Sequence, residues 1–339
     1  MTTAACPKAM VHGPCGGVQD DGRCEVGDAA CAFVGLDAPD LPPALPVGTR
    51  PGPSLAAREL AQLFATRAVI VADLPCEALS ADGQRAAAAA LAGHVDAALL
   101  GDAPWARVQL PPSQRAALVA GEGVRPWAGL NCRDRNRVAL EGELAGLAAL
   151  GVPAVHCVTG DHPALGHRPD AGAVFDLDST RLAALAATTD MMVSVAESPA
   201  APPRDRRAAR AAAKADAGAQ VCFVNHAGDA GEVREFAAAV KERRPALRLI
   251  ACVPLAASPA GLQRLAAFVP GAVPRSTAAA VHAADPVGTA VRAATRTAEQ
   301  LLAVEGIDGV DLSAAAGPGE ELAIAGALAL AAAALGGGS

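Results

Sequence analysis

The fold class this sequence predicts is a (β/α)8 barrel preceded by a small cysteine-rich metal-binding module, and three observations predict it. Eight short apolar runs alternate with longer Ala/Leu/Arg-rich stretches of helical character, the pattern of repeated βα units. No Gly-x-Gly-x-x-Gly follows the first run, which argues against an open dinucleotide-binding sheet. Four cysteines crowd the first 31 residues, a stretch too short to bury a hydrophobic core of its own.

Residues 1–36 form the expected module. Cys6, Cys15, Cys24 and Cys31 are separated by 8, 8 and 6 residues. Coordination bonds can replace the missing core, so a closed metal site is the economical reading, with Zn2+ and a [4Fe-4S] cluster both open. The spacers lack the Cys-x-x-Cys knuckle of zinc sites and are not a standard ferredoxin run either. Glycines at 13, 16, 17 and 22 allow tight turns around such a centre. His12 is a candidate replacement ligand, with a solvated loop histidine as the plainer expectation. No basic n-region followed by an apolar stretch precedes the cysteines, so a reducing, cytoplasmic setting is expected and disulfides are disfavoured. Cys76, Cys132, Cys157, Cys222 and Cys252 lie in apolar stretches and read as small buried hydrophobes.

Residues 37–58 read as a linker, because six prolines between 37 and 54 interrupt the backbone donors. Residues 59–339 are then the barrel. Its strands are expected at 68–74, 95–100, 126–131, 154–158, 191–196, 220–224, 247–253 and 309–312, each followed by a helical segment. In such a barrel the chemistry sits at the C-terminal strand ends. The polar residues there are Asp73, Asp102, the 131–136 segment, residues 159–162, Glu197, Asn225, His226 and Ser313. His156, inside an apolar strand, is expected to be a satisfied core histidine.

A formal charge of −7, 2% aromatic residues and no tyrosine argue against a nucleic-acid surface, which wants basic patches and stacking rings. No run has the bulk of a membrane span, and the Ala-rich stretch at 322–335 reads as a packed helix. The expected partner is a small molecule, with a homo-oligomer left open.

Three segments carry a family resemblance. Residues 131–140, Asn-Cys-Arg-Asp-Arg-Asn-Arg-Val-Ala-Leu, stand at the top of the third strand; Thr-Gly-Asp-His-Pro at 159–163, followed by Val-Phe-Asp-Leu-Asp-Ser at 174–179, stands at the top of the fourth; Lys-Ala-Asp-Ala-Gly-Ala at 214–219 precedes the sixth. They resemble the methylenetetrahydrofolate reductase family, and the cysteine motif resembles the metal-binding module of some bacterial reductases of this group. The resemblance implies reduction of 5,10-methylenetetrahydrofolate to 5-methyltetrahydrofolate, with a tetrahydrofolate derivative as substrate and a flavin (FAD or FMN) or NAD(P)H supplying hydride. It implies Asp73 as general acid, and Asp161, Asn225, Asn131 and His162 as folate contacts. Lys214, Asp134 and Arg210 are implied at the cofactor. For Asp161 the plainer reading is an N-cap, and for residues 133–135 an ion-pair collar around the rim.

The departures are informative. The family's strand-1 acid is a glutamate, whereas Asp73 is one methylene shorter, and Glu77 is the alternative acid. The amide after strand 6 is Asn225 where the family has glutamine. Arginines crowd residues 204–210, where they read equally as phosphate ligands or as a solvated helix face. Two further functions stay open: one-carbon or methyl transfer to another acceptor such as an amine, and an electron-relay subunit whose cysteine module docks a flavoprotein.

Overall fold

The computed structural model describes residues 6–36, 51–75, 77–102, 108–225, 230–268 and 273–337. Cys76, His226 and the linker residues 37–50 lie outside them.

Eight parallel strands close into a barrel in sequence order: β1 (Val69–Asp73), β2 (Ala97–Leu100), β3 (Pro126–Asn131), β4 (Ala154–Val158), β5 (Met192–Glu197), β6 (Val221–Val224), β7 (Arg248–Leu255) and β8 (Gly309–Ala314). All eight coincide with the runs read from sequence to within two residues at each end. Helices follow the strands: α1 (Leu55–Thr66) precedes β1, then come α2 (Ala81–Leu91), α3 (Pro112–Gly121), α4 (Arg137–Ala149), α5 (Ser179–Ala186), α6 (Arg207–Asp216), α7 (Ala230–Arg243), α8 (Pro259–Phe268), α9 (Arg275–Ala280), α10 (Pro286–Leu302) and α11 (Glu321–Ala334). Together they make a (β/α)8 barrel. Among the described residues no helix is long and apolar enough to cross a membrane, and α11 packs on the barrel as a helix.

The side-chain period of two splits each strand between two cores. One set, including Val69, Val71, Leu99, Trp127, Phe223 and Ile250, fills the barrel interior, while the alternate set packs outward against the helices. Trp127 is fully buried and donates from Nε1 to Ser194 Oγ at 2.8 Å. His156 Nδ1 meets the same hydroxyl at 2.9 Å, and its ring lies edge-on to Phe223 at 4.7 Å. Burial pushes its pKa down to about 3, with Lys214 adding to the shift, so the imidazole is neutral. It is the satisfied core histidine the sequence suggested.

The floor of the barrel explains one boundary. The helix α1 begins at Leu55, four residues inside the expected 37–58 linker, because Ser54 Oγ accepts from Ala57 N at 3.2 Å and caps it. Leu60 and Phe64 of this helix plug the N-terminal end of the interior core. The segment belongs to the barrel for that reason.

Residues 6–36 carry only two isolated bridges, Val18 with Cys24 and Arg23 with Ala30. Met10, Val18 and Phe33 are their buried apolar residues. Three side chains are a small core, as the short, glycine-rich sequence requires.

Candidate functional site: the barrel mouth and its cysteine module

Asp73 ends β1 and faces the mouth. Ser313, two strand positions beyond Asp311 on the neighbouring β8, donates to Asp73 Oδ2 at 2.6 Å. The carboxyl keeps some accessible surface, yet the barrel wall crowds it, and this burial raises its pKa to about 6 against the opposing effects of Ser313 and Arg115. Such a carboxyl keeps its proton to higher pH than an ordinary aspartate. Glu77, the alternative acid, is exposed to solvent.

Across the mouth, Cys252 of β7 links two polar groups, its Sγ lying 3.6 Å from Asn225 Oδ1 and 3.6 Å from Asp311 Oδ2. Asn225 is thus on the same side as Asp73, half-buried just past β6. Cys252 had been expected as a plain buried hydrophobe. It is buried, and it also serves as a hydrogen-bond bridge.

The rim above β3 is a chain of polar contacts. Asn131 Nδ2 donates to Asp102 Oδ2, and its Oδ1 accepts from Arg133 N at 3.1 Å. Arg133 Nη2 reaches Asp102 and Asp134, each at 2.9 Å, and Arg135 Nη1 reaches the other oxygen of Asp134 at 2.9 Å. Both functional ends of the Asn131 amide are therefore engaged within the protein. Asp134 lies in the ion-pair collar, on the exposed outer edge.

Asp161 and His162 follow β4. Gly160 sits at φ +85°, and a Cβ there would approach Asn131 Cβ to 3.1 Å, so the tight turn and the close packing both require glycine. The His162 ring stacks on Phe175 at 5.9 Å, and its Nδ1 accepts from Ala164 N at 3.2 Å as a cap of the following 3-10 turn. Phe175 holds a left-handed φ of 41°, secured by its N–H to Cys132 O at 3.0 Å. Burial, reinforced by Lys8, lowers the His162 pKa and favours the neutral ring.

Lys8 belongs to the cysteine module, which is thereby placed over this side of the mouth. The buried ammonium pairs with Glu25 and lies within electrostatic reach of Cys15 and Asp161. Although burial disfavours its charge, these anions raise its pKa above the ordinary lysine range. Gly17 makes room for the Glu25 carboxylate, which would overlap any Cβ at that position.

Two anchors fix the module. The first is Asp178, whose Oδ1 caps α5 by accepting from Thr180 N and Arg181 N at 3.0 Å each. Its Oδ2 accepts from Val11 N and His12 N at 3.1 Å and meets His12 Nδ1 at 3.3 Å. Burial opposes this charge, but the His12 ring and the amides outweigh it and hold the carboxyl well below the usual range. His12 is accordingly buried, where a solvated loop had been expected; its Nε2 has no hydrogen-bond partner among the described residues.

The second anchor is Glu197 at the end of β5. It pairs with Arg207 at 3.0 Å, Arg210 at 3.2 Å and Lys214 at 2.9 Å, all buried on one stripe of α6. Burial alone would raise its pKa, but Lys214, Arg210 and Arg207 bring it down to about 2. The same arginines reach the module, Arg207 donating to Pro14 O at 3.3 Å and Cys15 O at 3.1 Å, and Arg210 to His12 O. Lys214 also donates to Ala196 O. Arg207 and Arg210 are therefore neither a solvated face nor open phosphate ligands, because Glu197 and the module's carbonyls take up their donors. Lys214 and Arg210, expected at a cofactor, stand within this network.

The four module cysteines are half-buried free thiols. Burial raises the Cys31 thiol, and the charges of Cys15, Cys6 and Cys24 add to it, so all four lie close enough to interact. A backbone amide points to sulfur in two cases, Gly17 to Cys15 and Phe33 to Cys31. Among the described residues no three His, Cys, Asp or Glu side chains gather tightly enough for a single-ion shell. Thiols with backbone amides near two of the sulfurs are the donor chemistry a metal centre would use.

Sequence reasoning passed over Asp178, Lys8 and Asp311 as site residues, and it placed Glu197 at a strand end without giving it a partner. A signal existed for Glu197: Arg207, Arg210 and Lys214 repeat at helical spacing, and a carboxylate at the preceding strand end is their natural counter-charge.

A (β/α)8 barrel whose mouth is covered on one side by a four-cysteine module is thus the architectural class. Residues 2–37, the module itself, match the family described as Methylene-tetrahydrofolate reductase C terminal. The resemblance read from the cysteine motif is found there. No curated protein sequence matches the chain. Among solved structures, an uncharacterized protein from Clostridium thermocellum that binds two copies of 5-methyl-5,6,7,8-tetrahydrofolic acid superposes with a TM-score of 0.57 at 11% identity, over 80% of this chain and 97% of that one. A 2,3-dimethylmalate lyase of the PEP mutase/isocitrate lyase superfamily gives a TM-score of 0.46 at 15% identity, over 76% and 80% of the two chains. At such identities the first likeness speaks for the barrel fold alone.

Proposed function

We propose that this chain is a folate-dependent one-carbon enzyme, and that its reaction is the reduction of 5,10-methylenetetrahydrofolate to 5-methyltetrahydrofolate. The observation that carries the reading is Asp73, a carboxyl at the top of β1, at the barrel mouth, whose pKa is raised to about 6, in a chain whose residues 2–37 match the reductase-associated family. The match of residues 2–37 to a family described by methylene-tetrahydrofolate reductase supports the substrate class.

In this reading Asp73 holds the proton for the substrate's ring nitrogen, and protonation opens the imidazolidine ring to an iminium that accepts hydride. Asn225 and Asp161 flank the mouth as pterin contacts, with His162 beside Phe175 as a neutral hydrogen-bonding ring. Asn131 and Asp134 serve this site through the rim. Lys214 and Arg210 are occupied by Glu197, which favours a hydride source anchored elsewhere, either bound NAD(P)H or a flavoprotein partner. Cys6, Cys15, Cys24 and Cys31 would hold a [4Fe-4S] cluster, or Zn2+ after closing together. Held by these four thiolates, such a centre would order the module, and a cluster would supply one-electron chemistry beside the mouth.

Two experiments test this. Asp161→Ala should weaken binding of 5-methyltetrahydrofolate by about 1–3 kcal/mol, the usual cost of losing a charged hydrogen-bond partner. Calorimetric titration giving equal affinity for both proteins would remove the pterin assignment. Cys15→Ser and Cys24→Ser should each lower the metal content of anaerobically purified protein, because a hydroxyl does not replace a thiolate in a closed site. Unchanged metal stoichiometry in both variants would remove this ligand set, and the visible spectrum of the same samples separates iron–sulfur from zinc.

A further inference from the structure

The first anchor of the module reaches further than the module. Asp178 is fully buried and divides its carboxylate between two parts of the chain. Its Oδ1 takes the first amides of α5, while Oδ2 takes the amides of Val11 and His12 with the His12 ring alongside. One residue on, Ser179 N donates to Thr159 Oγ1 at 3.1 Å. Thr159 begins the turn that carries Asp161 and His162. Its carbonyl accepts from Cys132 N at 3.2 Å, just past the end of β3.

The same body closes on its other side. Val174 N donates to Arg133 O at 2.8 Å and Phe175 N to Cys132 O at 3.0 Å, and Phe175 is the ring on which His162 stacks. Gly160 lies so close to Asn131 and Arg133 that a side chain there would press on both. Residues 11–12, the first turn of α5, the 159–162 turn and the rim at 131–133 are thus joined by one run of hydrogen bonds and close packing. From the module, Lys8 also lies within electrostatic reach of both Asp161 and His162. Turns at strand ends ordinarily face water and move independently of their neighbours. A shift of this one displaces Ser179, and with it the carboxylate that receives the module.

We propose that the docked module is a working part of the mouth, and that Asp178 is the positioning residue through which it holds the turn carrying Asp161 and His162. The two ends are then coupled. Occupation of the mouth tightens the docking of residues 6–36, and docking tightens what the mouth binds by the same factor. Naming 5-methyltetrahydrofolate as the ligand rests on the folate reading; the coupling of module to turn does not.

Residue-resolved hydrogen exchange on the full chain tests this in two arms. In the first, Arg207→Met frees Pro14 O and Cys15 O, loosening the module from the α6 side and leaving the contacts of Asp178 in place. The amides that bond around the turn, those of Cys132, Ala164 and Ser179, should then exchange about tenfold faster relative to the amides of β2, within the usual range of coupling between sites. An unchanged ratio overturns the proposal. The second arm needs no variant to fold: 5-methyltetrahydrofolate bound to the wild type should slow exchange at Val11 and His12, and bound ligand without that slowing overturns the proposal equally. In a folate assay Asp178→Asn, which can accept from the module or from α5 but not from both, should raise KM about tenfold and leave kcat nearly unchanged. A fall in kcat with KM unmoved overturns the positioning role. Faster exchange around the turn in Arg207→Met, in a protein whose wild type binds no folate, upholds the coupling and overturns the substrate reading instead.

Discussion

Replacing Glu197 with glutamine should destabilise the protein by about 3–5 kcal/mol, the cost of leaving buried charges without their partner. Three cations, on Arg207, Arg210 and Lys214, converge on this one carboxylate, and all four side chains are buried. The amide keeps the shape of the carboxylate but removes the charge that makes those cations tolerable. Urea unfolding gives the measurement, with an expected fall in midpoint and an unchanged slope. The same substitution should loosen residues 6–36, because Arg207 and Arg210 hold the carbonyls of His12, Pro14 and Cys15 only while Glu197 fixes their orientation. Proteolysis within the module should then precede cleavage of the barrel.

The pH dependence of that loss has a definite sign. Glu197 is held near 2, below its ordinary value of 4.5. Its contribution is fully present above the unfolded value and disappears as pH falls through the folded one. The stability gap between wild type and Glu197→Gln should therefore be constant from neutrality down to about pH 5. Between there and about pH 2 it should close. A gap that does not change with acid would show that the glutamate's charge is not what the three cations need.

The barrel was legible because each of its strands is a short apolar run set between helical segments, a pattern that survives without any knowledge of contacts. Even β3 and β4 could be bounded to the residue, since Pro126 opens one and the turn at Gly160 follows the other. The four module cysteines stood out in the sequence as a cluster in a coreless stretch, and the structure adds that they lie within electrostatic reach of one another. What escaped were pairings across long sequence separations. The Glu197 and α6 charges could be read as solvent-facing or ligand-facing, and only the docking of residues 11–15 on α6 makes them internal. His12 looked like a loop residue until Asp178, 166 positions away, supplied its partner. Asp311 was hidden by its own strand, where one acid among apolar residues breaks the pattern without saying which way the side chain turns.

The larger functional effect should come from Asp73. On the proposed reading, with Asp73 as proton donor, Asp73→Asn should lower turnover of methylenetetrahydrofolate by roughly 100-fold or more, in line with general-acid contributions, while leaving folate affinity nearly intact. Affinity is spared because the asparagine still accepts the hydrogen bond from Ser313 and fills the same volume. Asp73→Glu gives the complementary test, since the extra methylene extends the acid by more than about 1 Å toward the mouth and should retain or increase the reaction. Geometry then competes with acidity, because a longer side chain leaves the contact with Ser313 and loses one of the two effects that now hold the pKa down to about 6. If Asp73→Asn remains fully active, the proton comes from water or from the exposed Glu77. If neither the wild type nor Asp73→Glu reduces the folate with any flavin or nicotinamide donor, the shortened acid marks a different acceptor for the one-carbon unit, and transfer to an amine becomes the reaction to assay.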